Sequence, residues 1–250
     1  MKVRRVAGSS TTEASWMAWP GVSAAPLVEA DALVPRGSRA VILAPHPDDE
    51  ILMAGGLLQQ LYKLARPALV IAVTDGEGSH PGSLQWPPSR LRSARPLESQ
   101  QALTELHAGV FDVVRLHLPD AHVGAHAAAL QHALATLLRT DDVLFSTWSG
   151  DGHPDHDACG AVAARVAAAG GARHVEVPVW TWHWSTPDDA RVPWHRLRCL
   201  RLTPQECARK QRGAAAFVSQ LGADPSTGRG AVLPPSARLR LARDHEFFFV

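Results

Sequence analysis

Residues 39–50 read RAVILAPHPDDE. After one arginine the next five residues are apolar without alternation, the pattern of a strand buried on both faces. A polar loop follows at once, Pro45-His46-Pro47-Asp48-Asp49-Glu50. Ile51, Leu52, Leu58, Leu61 and Leu64 then recur at helical spacing and predict a helix over 50–65. Working outward, the same alternation repeats. Strands are predicted over 68–74 (ALVIAVT), 111–116, 143–147 and 173–179, and helices over 99–108, 126–139 and 157–169. Unbroken apolar strands separated by helices imply a mostly parallel sheet covered on both faces. The expected fold class is therefore α/β, a Rossmann-like three-layer sandwich. In such sheets ligands bind beyond the carboxyl ends of the strands.

The rest of the chain fits one domain over 1–250, with residues 1–38 as an N-terminal arm that docks through Trp16, Met17 and Trp19. Thr203-Pro204-Gln205-Glu206 carries the signals of a helix start: Thr as N-cap, Pro at N1, Glu at N3. Residues 222–235 are a Gly/Pro-rich loop, and the terminal EFFFV is apolar enough to dock as a strand. Leu33–Ser38 (LVPRGS) matches a thrombin-cleavable linker, but no His-rich tag precedes it, and it is read as native.

Composition narrows the function classes. Lys plus Arg is 25 and Asp plus Glu 24, a formal charge of +1, which argues against nucleic acid or an anionic membrane as partner. Cys159, Cys199 and Cys207 are too few for a disulfide framework. No apolar run approaches the roughly 18 residues of a membrane span. Lys2, Arg4 and Arg5 precede no apolar run of signal-peptide length, so a cytoplasmic location is expected. The unusual counts are 13 His, and 8 Trp against 1 Tyr.

The loop after the first strand places His46 and Asp49 three residues apart on a turn, where both can face one ion. Pro45 and Pro47 stiffen that turn. Asp48, between them, can approach the ion's water. Helix-initiating carboxylates would explain Asp48 and Asp49 but not His46. The loop after the fourth strand, Trp148-Ser149-Gly150-Asp151-Gly152-His153-Pro154-Asp155-His156-Asp157, repeats the His-Pro-Asp element. A Gly-rich turn and a helix cap would account for one such loop. Two of them after two strands point to a shared site. Together they supply the two nitrogens and one oxygen of a catalytic zinc site with an open position, with His46, Asp49 and His156 as that set.

The paired motifs resemble the PIG-L/LmbE-like zinc deacetylases, including a subgroup sometimes fused to a methyltransferase domain. Thr74-Asp75-Gly76-Glu77, Arg95-x-x-Glu98, Leu118-Pro119-Asp120, Lys210 and Ser219-Gln220 extend the resemblance over about residues 38–250. It implies a hydrolase removing acetyl from an N-acetylglucosamine-type small molecule, with Zn²⁺ on His46, Asp49 and His156. It further implies Asp48 as general base, His153 held by Asp155 at the oxyanion, Arg95 and Asp120 on the substrate, and a methyltransferase as a conceivable partner. With no basic patch in the composition, a neutral substrate is expected.

Pro96 departs from the pattern: either a helix begins there or it kinks, which sets where Arg95 points, toward substrate or toward Glu98. Asp75 and Glu77 either contact substrate or buttress the zinc loop. Trp180 to Trp184 either lines a sugar or acyl pocket or packs into the core as a strand. A non-catalytic zinc- or sugar-binding module is the competing reading. A nucleotide-binding Rossmann protein is disfavoured because no Gly-x-Gly-x-x-Gly follows the first strand.

Overall fold

A computed structural model of the chain describes residues 10–250, so Lys2, Arg4 and Arg5 lie outside the described residues. Three short helices form the arm: α1 (Glu13–Ala18), α2 (Pro20–Ser23) and α3 (Ala30–Leu33). Then follow β1 (Arg39–Ala44), α4 (Asp49–Lys63), β2 (Ala68–Thr74), α5 (Pro88–Glu105), β3 (Asp112–Leu118), α6 (Ala127–Leu137), β4 (Asp142–Thr147), α7 (Pro154–Gly170) and β5 (Arg173–Val177). The chain ends with α8 (Thr181–Trp184), β6 (Leu197–Arg201), α9 (Pro204–Ala215), α10 (Val218–Leu221), α11 (Pro235–Leu241) and β7 (His245–Phe249).

The seven strands form one sheet in the order β3-β2-β1-β4-β5-β7-β6. β1 pairs in parallel with β2 (Ala40↔Ala68) and with β4 (Leu43↔Ser146), while β7 runs antiparallel to β5 and β6. The sheet is therefore mostly parallel, as expected, and EFFFV does dock as a strand. Successive β1 side chains point to opposite faces. Ala40 and Ile42 pack with α4, α5 and α9. Val41 and Leu43 pack with α6 and α7 on the other face. Strand order reverses between β1 and β4, so both polar loops leave the sheet at its switch point, where open α/β sheets bind ligands.

The arm docks through Trp16 and Trp19, whereas Met17, expected to dock with them, is exposed on the outer side of its short helix. Trp16 is fully buried and donates Nε1–H to Trp182 O at 2.9 Å, and it shares an aromatic cluster with Trp19, Trp182 and Trp194. Leu33 and Val34 of the LVPRGS stretch are fully buried too, as native core would be.

Three elements differ from the sequence expectation. α5 begins at Pro88 and runs through Pro96, so Pro96 is neither a helix start nor a break in the element. Residues 180–184 are not a strand: β5 ends at Val177, and α8 makes one helical turn. β6 (LRCLR) was hidden by its short, arginine-interrupted pattern. The Thr203 start, by contrast, is a complete capping box with Glu206.

α4 is broken at Ala54 (φ −144°, ψ 19°). The Glu246 carboxylate enters the break and accepts from Gly56 N at 2.6 Å and Leu57 N at 2.9 Å, while Lys210 Nζ donates to it at 2.5 Å. A side chain inserted into the helix ladder is an ordinary cause of such a kink.

Candidate active site

The loop 45–48 is held from three sides. Thr74 donates Oγ1–H to Pro45 O at 2.9 Å. Glu50 accepts from Asp48 N at 3.0 Å, and its other oxygen accepts from Ser99 Oγ at 2.5 Å. Arg95 Nη2 donates to Pro47 O at 2.6 Å and to Asp48 Oδ2 at 3.1 Å, and Nη1 donates to Gly76 O at 2.9 Å. A Cβ on Gly76 would lie 2.0 Å from Arg95 Nη1, so the guanidinium reaches the loop only because residue 76 is glycine. These bonds stabilise Asp48 at φ 136°, a region costly for a residue with a Cβ. They turn Asp48 and Asp49 in different directions.

The donors converge on Asp49. Its Oδ2 lies 3.2 Å from His46 Nδ1 and 3.2 Å from His156 Nε2. Ligands about 2.0–2.1 Å from a tetrahedral ion stand about 3.3 Å apart, so these spacings fit a common divalent ion. His156 Nε2 is buried and has no hydrogen-bond partner despite its approach to Asp49. Its other nitrogen, Nδ1, is 2.8 Å from Asp151 Oδ2. Asp151 can only accept there, so one proton stays on Nδ1, and Nε2 is the nitrogen that would give up its proton to offer a lone pair to an ion. His46, His153 and His156 also form a group whose donor atoms lie within 4.8 Å of one another, as do His46, Asp120 and Asp155. A buried His/Asp cluster able to hold a metal is thus present. Asp49 belongs to neither group but meets His46 and His156 pairwise at 3.2 Å each.

Ionisation follows from this crowding. Burial opposes the charge on Asp49, but His156 and His46 hold its pKa well below the usual carboxylate range. Burial likewise opposes the imidazolium of His156, yet Asp49 and Asp151 bring it up to about 9. Burial raises Asp48 to about 7, against the lowering charge of Arg95. Burial and the neighbouring His156 and His46 charges push His153 down to about 3. His153 is therefore neutral. Its Nδ1 accepts from Asp155 N at 3.3 Å, which leaves the proton on Nε2.

That contact corrects one expectation. The Asp155 carboxylate does not hold His153. It accepts from Ala121 N at 2.8 Å and Val123 N at 3.0 Å and lies 3.3 Å from His46 Nε2. Asp120 also stands against His46: Oδ1 is 3.2 Å from Nε2, and Oδ2 accepts from Gly78 N at 2.8 Å. Arg95 does not meet Glu98, which accepts from Ser219 N and Oγ; it is buried against Asp48 at the wall of the cavity that holds the site. Asp75 contacts His117 and Glu77 contacts Arg92, so the buttress of the loop is Thr74.

Sequence reasoning missed Asp151 and Glu50. Both are fully or almost fully buried acids inside the two polar loops, and a carboxylate next to a ligand histidine was the signal available. It also missed the division within Trp180 to Trp184. Trp182 is core, whereas Trp180 lines a cavity of about 580 Å³ together with His46, Asp48, Asp49, Asp120 and His153.

The sheet thus carries at its switch point a His/Asp cluster able to hold a metal, with a buried carboxylate beside it. The chain belongs to the PIG-L family, described as GlcNAc-PI de-N-acetylase, whose pattern matches residues 41–167. No curated protein matches it in sequence. Solved structures share the fold. N,N'-diacetylchitobiose deacetylase from Pyrococcus horikoshii, complexed with an inhibitor, is 18% identical over 73% of this chain and 70% of its own, with a TM-score of 0.54. A triple mutant of a deacetylase of the teicoplanin biosynthetic pathway is 16% identical over 85% and 97%, at 0.62. The A40926 pseudoaglycone deacetylase is 20% identical over 85% and 96%, at 0.59.

Proposed function

We propose that the protein is a zinc-dependent N-deacetylase acting on an N-acetylated small molecule of the N-acetylglucosamine type. The observation that carries this is the convergence of His46 Nδ1, Asp49 Oδ2 and the partnerless His156 Nε2, beside the separately held Asp48. His46, Asp49 and His156 would hold the ion. Zinc bound there supplies Lewis acidity and lowers the pKa of water to about 7.

The chain's own residues do the rest. Asp48 takes the proton from the attacking water and returns it to the amine nitrogen as the amide C–N bond breaks, giving acetate and a free amine. Arg95 is a positioning residue that fixes the Asp48 carboxylate. His153 donates Nε2–H to the developing oxyanion without needing a positive charge. Asp120 and Asp155 hold the His46 ring. Membership of the PIG-L family and the deacetylase folds of the relatives support the reading.

Metal analysis of the purified protein should give one zinc per chain, and N-acetylhexosamine conjugates should release acetate. Zinc without acetate release from any conjugate would favour the non-catalytic binding module instead. Protein free of metal after non-chelating purification would sink both. No helix of the described residues is long and apolar enough to cross a membrane.

A further inference from the structure

A second cavity, of about 70 Å³, lies behind the turn that carries Trp180. It shares Leu52, Trp180 and Leu233 with the candidate active site, so the two cavities abut across those side chains. One water needs about 10–15 Å³, so the space suits a group of about five to seven heavy atoms. Met53, Val177, Trp182 and Phe247 give it apolar walls.

Its charged groups do not balance. Lys210 is paired with Glu246 at 2.5 Å. Arg243 makes two bonds to Glu13, at 2.6 and 2.8 Å, and lies 4.5 Å from the Trp182 ring centroid. Arg240, the third cation, has only a neutral partner: Nη2 donates to Ser10 Oγ at 2.8 Å. Its Nε is buried with no partner among the described residues. Burial and the Arg243 charge push its pKa down to about 10, only partly offset by Glu13, whose two oxygens are bonded to Arg243. His245 lines the same cavity, and its Nε2 is buried and partnerless as well, while Nδ1 is 2.7 Å from Asp244. A guanidinium in such surroundings is costly unless an anion completes it.

We propose that this cavity is a binding site for a short-chain monocarboxylate, its chain against Trp182 and Phe247 and its charge on Arg240. One uncompensated charge matches a monoanion better than a phosphate monoester, which carries about −1.5 to −2. Two sources offer this chemistry beside a deacetylase centre: the acid released by the reaction, or a carboxyl-ended arm of the substrate. Only that choice of source rests on the hydrolase reading. The expectation of a wholly neutral substrate came from the net charge, which conceals this local surplus.

The test is calorimetric titration of the zinc-loaded full chain with butanoate and with butyramide, which differ in charge but hardly in size. Wild type should prefer butanoate by about tenfold or more, the usual strength of a charge-assisted bond. Arg240→Gln should keep only whatever preference the metal centre gives and lose the tenfold or more due to the cavity, and Arg240→Lys should keep the full preference. Carboxylate bound at the metal centre is common to all three proteins and cancels in the comparison. A preference undiminished in Arg240→Gln, or none in wild type, overturns the proposal. Kinetics then separate the sources. If the site takes the product, Arg240→Gln weakens inhibition by added acetate. If it takes a substrate arm, KM rises for carboxyl-bearing conjugates only. Loss of activity toward every N-acetyl conjugate would refute the hydrolase reading while the titration still decides the site.

Discussion

Asp151→Asn removes a single charge at the most heavily used acceptor in the molecule. Oδ1 of Asp151 accepts from Val179 N at 2.9 Å, Thr181 N at 2.9 Å and Thr181 Oγ1 at 2.6 Å. Oδ2 accepts from Trp180 N at 2.9 Å and faces His156 Nδ1 at 2.8 Å. An asparagine has one acceptor oxygen and one donor group at those places. Turned to keep the three bonds to Val179 and Thr181, its NH₂ meets the Trp180 N–H and the His156 Nδ1–H. The ring can escape by moving its proton to Nε2, and Nδ1 then accepts from the amide. That tautomer places a proton on the atom that faces Asp49, and a metal must displace it. The Trp180 N–H stays unsatisfied, at a cost of about 1–3 kcal/mol. Zinc affinity should fall by about 10- to 100-fold, the usual loss when such a supporting carboxylate is removed. A chromophoric chelator competing for zinc measures this, with circular dichroism to confirm folding. Thr181→Val, which deletes only the hydroxyl bond, should lower stability and leave zinc affinity unchanged. Folded Asp151→Asn with wild-type zinc affinity would refute the tautomer argument.

Asp48→Asn should keep its zinc and lose about 10²- to 10⁴-fold in deacetylation rate, whereas Asp49→Asn should lose zinc first and recover part of its activity in excess zinc. Rescue of Asp48→Asn instead would show base and ligand interchanged. Gly160→Ala should destabilise by about 1–3 kcal/mol in a thermal melt, because a Cβ there lies 2.5 Å from Thr147 O and 2.6 Å from Ser149 N. An unchanged or higher Tm, the usual gain from helical Gly→Ala, would show that α7 can move off the β4 loop. Glu246→Ala strands Lys210 and the Gly56 and Leu57 amides, so urea unfolding should show a loss of about 3–5 kcal/mol.

The central layers were legible because each buried strand is an unbroken apolar run and each covering helix keeps its period. β1, β2 and β4 follow that rule, and so the two His-Pro-Asp loops could be placed at strand ends before any coordinates. Pro96 misled because a proline costs a helix hydrogen bond whatever the context. The eight residues before it form a helix that local punctuation does not announce. Trp180 to Trp184 misled for the opposite reason: alternation of large and small residues reads as a strand, but the Asp151 carboxylate captures three successive backbone amides and winds the segment into a turn. No residue within the segment carries that instruction. The roles of Arg95 and Asp155 were hidden similarly. Sequence placed both near the site, but only the tertiary contacts show that one is spent on Asp48 and the other on His46.

Net charge was the least informative quantity of all. A total of +1 is the sum of two opposed local fields. Around the candidate metal site, Asp48, Asp49, Asp120 and Asp155 face one buried arginine, Arg95. Arg229 also lines that cavity, so a divalent ion together with the two arginines would bring these charges to balance when Asp48 is ionised. Across the wall formed by Leu52, Trp180 and Leu233, the smaller cavity carries the cationic surplus of Arg240. Amide hydrolysis makes one product of each sign, an amine that takes up a proton and a carboxylate that gives one up. The cationic surplus around Arg240 suits the second, as the proposed carboxylate site requires, and where these few charges are buried is something no composition can report.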